Sequence, residues 1–526
     1  MDVLADILAQ HGDRPALAVG GREWSFAQII DGALGLARTL DELDGGPLGL
    51  VGLLAHKSVT AYAGVLAAHC AGRGYMPLGI RHPASRQAET IRRSGTRILV
   101  VGPECFRLLG PLLDALGDAW PLTVVIDAAQ MPAIPAGGHR FLVHRRGGRA
   151  EGATPRPRPP GAVAYLLFTS GSTGTPKGVP VSFANLAAYL GECRRRWPLT
   201  PEDRASQTFD LTFDLSVHDI FATWAAGACL HPIPDASLIN PARAIRQSGL
   251  TRWFSVPSVA MFMARAGTLT PNALPTLRLS LFCGEALPVA VADRWAAAAP
   301  ESRIVNLYGP TEATIAITAH EWQAGQIAPW GLVPIGRVFD GQYHCLLNDD
   351  GSVTEGRGRG ELCLAGSQVT AGYLNDAPRT AERYLTLPGL TDKLWYRTGD
   401  LVERDATGLL HFVGRTDFQV KINGFRIELG EVEAALRAAT GVDAVVAVPW
   451  PGADGAPRGL AAFILGEGGD SERVLAQCRR ALPAYMVPAR LEWRRTFPLN
   501  ANGKIDSAAL ADQLKPERGD DACTST

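Results

Sequence analysis

The sequence predicts an α/β protein, layered around parallel strands and continued by a β-rich stretch and a compact α+β segment. Three observations carry this. Residues 1 to about 135 alternate helix-like stretches (Ala33–Leu43, Ser58–Cys70) with short apolar strands (Leu48–Leu54, Arg97–Val101, Leu122–Ile126). The alternation resumes at Val163 and runs to about 320. From about 332 to 414 it yields to short strands with Gly and Asp turns, such as Asn348-Asp-Asp-Gly351 and the strand Gly360–Gly366, and helices return after Asp417 at Leu429–Ala439 and Ser471–Ala481. A chain of 526 residues exceeds one hydrophobic core, so at least two compact units are expected, with the boundary at Asp417.

Bulk properties exclude several classes. Lys plus Arg number 51 against 52 Asp plus Glu, a net charge of -1, so there is no basic footprint for nucleic acid. The nine cysteines form no Cys-x-x-Cys pair, which indicates neither a zinc site nor a disulfide framework and fits a reducing cytoplasm. No apolar run approaches the roughly 20 residues of a membrane span. Met1–Gln10 carries apolar residues at 3, 4, 7 and 8 and reads as an amphipathic surface helix rather than a signal peptide. His139–Pro160, rich in Arg, Gly and Pro, reads as a linker or long exposed loop. The C-terminal Cys-Thr-Ser-Thr lacks the aliphatic middle of a prenylation box and reads as a frayed tail.

The chemistry centres on Phe168-Thr-Ser-Gly-Ser-Thr-Gly-Thr-Pro-Lys-Gly-Val179. Glycines allow backbone N–H groups to approach an anion, hydroxyls add donors and Lys177 adds a mobile positive charge, so the loop suits phosphate. The buried-strand pattern Ala164–Phe168 feeds it. It is not the usual P-loop, because Lys177 follows a proline and precedes Gly178. One motif points elsewhere: Gly468-Gly-Asp-Ser471 matches the core of a phosphopantetheine attachment site, but Ser471 reads better as the N-cap of the helix that follows.

Further stretches agree with that loop: Asn306-Leu-Tyr-Gly-Pro-Thr-Glu312, Tyr396-Arg-Thr-Gly-Asp400, Gly414–Gly424 and Pro498-Leu-Asn-Ala-Asn-Gly-Lys504. Together, in order from about Trp24 to Leu510, they closely resemble the adenylate-forming superfamily of acyl-CoA synthetases, luciferases and the amino-acid adenylation domains of nonribosomal peptide synthesis. The resemblance implies an N-terminal core (1–416) of two α/β sheets plus a small β-barrel, and a mobile α+β C-terminal domain (417–526) that swings between two half-reactions. It implies ATP and Mg2+, with an acyl-AMP formed first and a thioester second.

It also implies roles for particular residues. Lys504 would bridge the substrate carboxylate and the α-phosphate, Asp417 would be the hinge, and Lys421 to Gly424 would line the thiol tunnel. Thr169, Ser170, Gly171, Ser172, Thr173, Gly174 and Lys177 would clamp the outgoing pyrophosphate. Thr311 would hold phosphate and Glu312 the metal; Asp400, with Arg415 alongside, would accept the ribose hydroxyls. Tyr308 would stack on adenine, Asn306 would read its edge, and Gly284 and Glu285 would form the opposite wall.

Asp214 matches the aspartate that amino-acid-activating members use for the substrate α-ammonium; a structural carboxylate capping the next helix is the alternative. A buried carboxylate without a partner costs several kcal/mol, so an uncharged acid would be rejected there. The remaining pocket positions are Leu215, His218, Ser255, Leu281, Cys283, Leu307, Ile315 and Ala316. This mostly apolar lining points to a small amino acid. Phe282–Pro288 and Tyr308–Ile317 look most like the stand-alone alanine-activating ligases, including the D-alanine–carrier protein ligases, and imply alanine as substrate. Leu307 and His218 depart from those enzymes and leave serine, glycine and proline open. With 22 residues after Lys504, the phosphopantetheine thiol is expected on a carrier protein supplied in trans. An acyl-CoA synthetase of a small non-amino acid and a non-catalytic nucleotide-binding scaffold are the competing readings.

Overall fold

The computed structural model describes residues 3–10, 12–128, 137–144, 154–170, 176–387, 390, 392–416, 419–451, 457–498 and 505–514. The chain divides into two compact units. The first comprises Met1–Ile80, Gln87–Thr169 and Lys177–Asp417; the second comprises Arg81–Arg86, Ser170–Pro176 and Phe418–Thr526.

Two sheets dominate the first unit. One orders its strands Arg140–His144, Thr123–Asp127, Ile98–Val101, Val51–Leu54, Tyr75–Pro77, Val163–Thr169 and Lys177–Ser182, parallel except for the last. The other has a parallel centre, Arg303–Tyr308, Leu279–Phe282, Arg252–Ser255, Arg204–Gln207, Cys229–Pro232 and Pro15–Val19, with antiparallel strands at both edges. Between them lie the helices Phe26–Asp41, Val59–Cys70, Phe183–Arg196 and Leu215–Ala225, sharing one core with residues of both sheets. Every residue of Val59–Cys70 except Val59 is buried, as a helix flanked by two sheets has no solvent face to make polar. Ala84–Ser94 and Phe106–Leu116 cover the outside of the first sheet, and Pro241–Ser248, Pro257–Arg265 and Val289–Ala298 that of the second.

Local signals explain most boundaries. Helix Phe26–Asp41 begins earlier than its apolar repeat suggests because Ser25 and Gln28 form a reciprocal capping box. The N-terminal helix is Val3–Leu8 and buries Val3, Leu4 and Ile7 in the shared core. The expected linker is wrong at its start: Arg140–His144 is an edge strand paired in parallel with Thr123–Asp127. Its half-buried apolar run is only three residues long and is flanked by basic residues, which hid it in the sequence.

The part expected as a small barrel is a five-stranded antiparallel sheet of Gln342–Leu347, Gly358–Gly366, Tyr384–Thr386, Leu394–Arg404 and Leu410–Arg415. In the second unit, Gln419–Ile422 and Phe425–Glu428 form a hairpin whose Asn423-Gly424 turn has φ of 52° and 81°, the left-handed pair that Asn-Gly favours. Helices Leu429–Thr440 and Ser471–Ala481 pack with the sheet Val445–Pro451, Pro457–Leu465 and Arg490–Arg494. The cap of the later helix is Asp470, not Ser471: Asp470 accepts from the Arg473 N–H at 2.9 Å. The Ser471 hydroxyl instead accepts from the Trp493 indole at 3.1 Å, a packed position rather than an exposed attachment serine.

Gly336 marks a tight crossing. Its φ is +93°, and a Cβ there would lie 1.9 Å from the Ala319 carbonyl oxygen. Gly336→Ala therefore combines a disfavoured backbone with a backbone clash. It should cost about 2 kcal/mol or more and lower the melting temperature by several degrees; an unchanged melting curve would contradict this account.

Candidate active site

The parallel strands of the larger sheet end on one edge, at Gln207, Ser255, Phe282 and Tyr308. Ligands of open α/β sheets gather at such an edge because every connection opens there. The segment after Gln207 turns through Asp210 and enters helix Leu215–Ala225 at Asp214.

Asp214 is 8% exposed and its Oδ2 has no hydrogen-bond partner. It precedes the helix without capping it through its side chain, which removes the capping alternative. Burial raises its pKa to about 6; the Thr311 hydroxyl pulls the other way, Glu312 adds to the rise, and the backbone of Ile315 and Leu215 lowers it. Leu215, Leu281, Cys283, Leu307, Ile315 and Ala316 are all buried in the same apolar cluster. His218 is buried too, with Nδ1 2.9 Å from the Tyr189 hydroxyl and its ring edge-on to Phe254 at 5.0 Å. Burial lowers its pKa to about 4, so the ring is neutral and its Nδ1 is engaged internally.

Ser255 is a correction. Its Oγ accepts from the Trp253 indole at 3.0 Å and donates to the Val256 carbonyl at 3.1 Å. Trp253 belongs to the outer core, whereas Phe254 reaches His218. Strand residues alternate faces, so Ser255 shares the face of Trp253 and Phe254 takes the place beside His218.

The turn carrying Ile315 is strained. Thr314 and Ile315 have φ of 56° and 71°, a region that a β-branched residue rarely occupies. Gln368, fully buried, holds it: its side-chain amide donates to the Ala316 carbonyl at 2.7 Å, and its backbone carbonyl accepts from Thr314 Oγ1 at 2.6 Å. Sequence reasoning missed Gln368, since nothing local marks a glutamine whose partners lie more than fifty residues away.

Glu312, in a short 3-10 turn after Tyr308, has no solvent exposure. Lys177 Nζ lies 3.1 Å from its Oε1, and the Tyr373 hydroxyl donates to the same oxygen at 2.8 Å. The lysine also sits 5.0 Å from the Tyr373 ring centroid. Thus the two charges assigned separately to phosphate and metal are neighbours, and Tyr373 is a second residue the sequence reading omitted. Among the described residues no group of three or more His, Cys, Asp or Glu forms a metal cage. A single carboxylate nevertheless suits Mg2+, which keeps waters and phosphate oxygens in most of its coordination sphere.

The nucleotide positions meet nearby. Tyr308 donates to Asp400 Oδ2 at 2.5 Å, and Arg415 pairs with Asp400 Oδ1. Asp400 and Arg415 are direct cross-strand partners, so the sheet register itself sets the ion pair. Asn306 spends its amide on the Val333 and Pro334 carbonyls at 3.2 and 2.9 Å, leaving Oδ1 buried and without a partner. An unsatisfied acceptor of that kind fits an exocyclic amine such as that of adenine. Gly284 has φ of +95° and a Cβ would stand 3.3 Å from Val256, while Glu285 accepts from the Ser258 N–H at 2.8 Å. Thr169 Oγ1 is another buried polar atom with no partner.

In the second unit, the Ser170 hydroxyl donates to the Arg426 carbonyl at 2.7 Å, and Lys421 faces Arg426 across the hairpin. Gly171, Ser172, Thr173, Gly174, Asp417 and Lys504 lie outside the described residues.

Buried acceptors left without partners next to buried apolar side chains at the strand ends suit a nucleotide-binding class, and comparison agrees: residues 4–374 match the AMP-binding enzyme family, and the chain belongs to it. Among particular proteins, it is 34% identical over 99% of its length to phosphinothricin tripeptide synthetase PhsC of Streptomyces viridochromogenes, spanning 45% of that protein. It is 29% identical to the D-alanine–D-alanyl carrier protein ligase of Bacillus licheniformis, covering 84% of this chain and 85% of the ligase. Its fold matches the crystal structure of the Vibrio cholerae adenylation domain AlmE in complex with glycyl-adenosine-5'-phosphate, with a TM-score of 0.87, 34% identity, and coverage of 97% of this chain and 96% of that one.

The Lys177–Glu312 pair predicts a thermodynamic signature. Lys177→Met strands a buried carboxylate and should cost about 3–5 kcal/mol in denaturant unfolding. Adding Glu312→Gln should recover most of that loss. A double variant as unstable as the sum of the singles would show that the charges are uncoupled.

Proposed function

We propose that this chain is an ATP-dependent ligase that activates a small α-amino acid as its aminoacyl-AMP. It then passes the aminoacyl group to the phosphopantetheine thiol of a separate carrier protein. The observation that carries this reading is Asp214, a buried carboxylate with one oxygen unpartnered next to the buried apolar Leu215. A cationic ligand group suits such a site best, and an α-ammonium is the cation that every amino acid brings. Alanine is the favoured substrate, with glycine, serine and proline as neighbours; the glycyl-adenylate bound to AlmE supports a small side chain. One methylene in an apolar pocket is worth only about 1–3 kcal/mol, so related small amino acids are partly accepted.

In the first half-reaction a carboxylate oxygen bonds to the α-phosphorus of ATP as the bond to pyrophosphate breaks. Asp214 holds the ammonium, Asn306 takes the adenine amine, and Asp400, paired with Arg415, takes the ribose. Lys177 meets the outgoing phosphates, and Tyr373 keeps Glu312 oriented. Mg2+, when bound with the nucleotide, supplies positive charge against the phosphate oxygens. Lys504 bridges the two reacting anions. In the second half-reaction the carrier thiol loses its proton and its sulfur bonds to the acyl carbon as the bond to AMP breaks and AMP leaves; this step uses Lys421 after a domain rotation at Asp417. The chain works in natural-product biosynthesis of the antibiotic type. No described helix is long and apolar enough to cross a membrane; a cytoplasmic setting is supported by the eight described cysteines, all free.

Pyrophosphate exchange across the proteinogenic amino acids tests this directly: exchange should peak with a small one, and silence with all of them would refute the reading. Asp214→Asn should raise amino-acid KM at least about thirtyfold while sparing ATP KM. An ammonium pairs only with the ionised carboxylate, so below pH 6 amino-acid KM should climb about tenfold per pH unit in the wild type and stay flat in Asp214→Asn. Activity with an uncharged acid and free coenzyme A would favour an acyl-CoA synthetase instead.

Lys504→Ala should lose most adenylation yet still bind ATP, whereas Lys421→Ala should mainly slow thioester formation. Equal damage to both steps from Lys421→Ala would argue against domain rotation.

A further inference from the structure

A second charged cluster lies on the same edge of the first unit, outside the groups used above. The His56 ring stands between two carboxylates: Nδ1 is 3.5 Å from Asp210 Oδ2 and Nε2 is 3.4 Å from Asp235 Oδ2. Its neighbour Lys57 bonds Asp235 Oδ1 at 2.8 Å and the carbonyls of Ile233 and Thr208 at 2.7 and 3.3 Å. Glu104 completes the cluster by accepting from the His56 backbone N–H at 2.9 Å and from the Ser58 hydroxyl at 2.6 Å. Lys57 holds φ of 41°, a left-handed backbone that a lysine adopts only where its surroundings enforce it.

The cluster joins the two sheets at a telling place. His56 and Lys57 follow strand Val51–Leu54 of the smaller sheet, whereas Asp210 and Asp235 follow strands Arg204–Gln207 and Cys229–Pro232 of the larger. Asp210 is four residues before Asp214 and builds the turn between them: its Oδ1 accepts from the Thr212 N–H at 2.9 Å and hydroxyl at 2.7 Å, and its carbonyl accepts from the Phe213 N–H at 3.0 Å. Burial pulls the His56 imidazolium down, but Asp210 and Asp235 outweigh it and raise its pKa to about 9, so the ring is cationic at neutral pH.

We infer that His56 and Lys57 form a cationic clasp that positions the Thr208–Asp214 segment, and through it sets how strictly the site demands an α-ammonium. They are positioning residues and touch no substrate. The clasp works at a distance because the turn is rigid: fixing Asp210 fixes the Phe213 amide and hence the direction in which Asp214 enters its helix. This rests on the amino acid ligase reading.

The test pairs His56→Gln with wild type, using pyrophosphate exchange and hydrogen–deuterium exchange. In His56→Gln, amino-acid KM should rise about tenfold with kcat and ATP KM within about twofold. The preference for the amino acid over its 2-hydroxy counterpart should fall by a similar factor, and amide exchange should quicken within 208–214 but not in strand Gln342–Leu347. A change that merely loosened the fold would move ATP KM and both segments together. If His56→Gln does not fold, Asp235→Asn, which leaves His56 on Asp210, should show the same pattern more weakly. An active wild type whose variants keep KM, preference and amide exchange would overturn the clasp alone. A wild type inert with every amino acid would overturn the ligase reading and this one with it.

Discussion

Burying negative charge is the constraint on which the site depends. Three carboxylates, Asp214, Glu312 and Asp400, are withdrawn from water in one half of the first unit, and each would be costly if left alone. The protein treats them differently. Asp400 is matched by Arg415 through strand register and by Tyr308 through a hydrogen bond. Glu312 is matched by Lys177 and Tyr373. Asp214 keeps an oxygen unmatched, and burial raises its pKa in consequence. On the proposed reading, a carboxylate held in deficit serves as a binding device: the free energy withheld from the empty protein would be released when a cation arrives.

The fold makes this arrangement possible. Parallel strands bring consecutive connections to one edge, so segments a hundred residues apart in sequence become neighbours. Arg204–Gln207, Leu279–Phe282 and Arg303–Tyr308 deliver Asp214, Gly284 and Glu312 respectively. The antiparallel sheet then adds Asp400 and Arg415 across a single ladder. The shared helix layer buries the pocket walls, which excludes water and strengthens each electrostatic contact.

Much of this was legible in the sequence, and the rest was hidden for definable reasons. The glycine-rich loop after the strand Ala164–Phe168 carries a local signal for Lys177, and local signals read well; Glu312 and Asp400 are legible only through the motifs that carry the family resemblance. Which face a strand residue takes is a matter of parity, and a one-residue slip in register exchanges Ser255 for Phe254. Ser471 was read as a cap because it is a serine before a helix, yet Asp470 beside it is an equally good capping residue and the fold uses that one. Arg140–His144 was hidden because an edge strand needs few apolar residues. Gln368, Tyr373 and the His56 cluster act through partners distant in sequence, so no window of residues announces them.

The backbone strain at Thr314 and Ile315 belongs to the same economy as the unmatched oxygen of Asp214. A left-handed isoleucine is tolerated only where the surroundings outweigh its cost, and here Gln368 and Thr314 supply the hydrogen bonds that do so. The same turn buries Ile315 and Ala316 and brings the Ile315 backbone to Asp214, where its hydrogen bond lowers the carboxyl pKa. One turn therefore holds both the buried Ile315 and Ala316 side chains and a backbone group acting on Asp214. On the proposed reading, a substitution that relaxed this turn would alter side-chain selectivity and ammonium binding together, so that selectivity could not be divided among the lining residues one at a time.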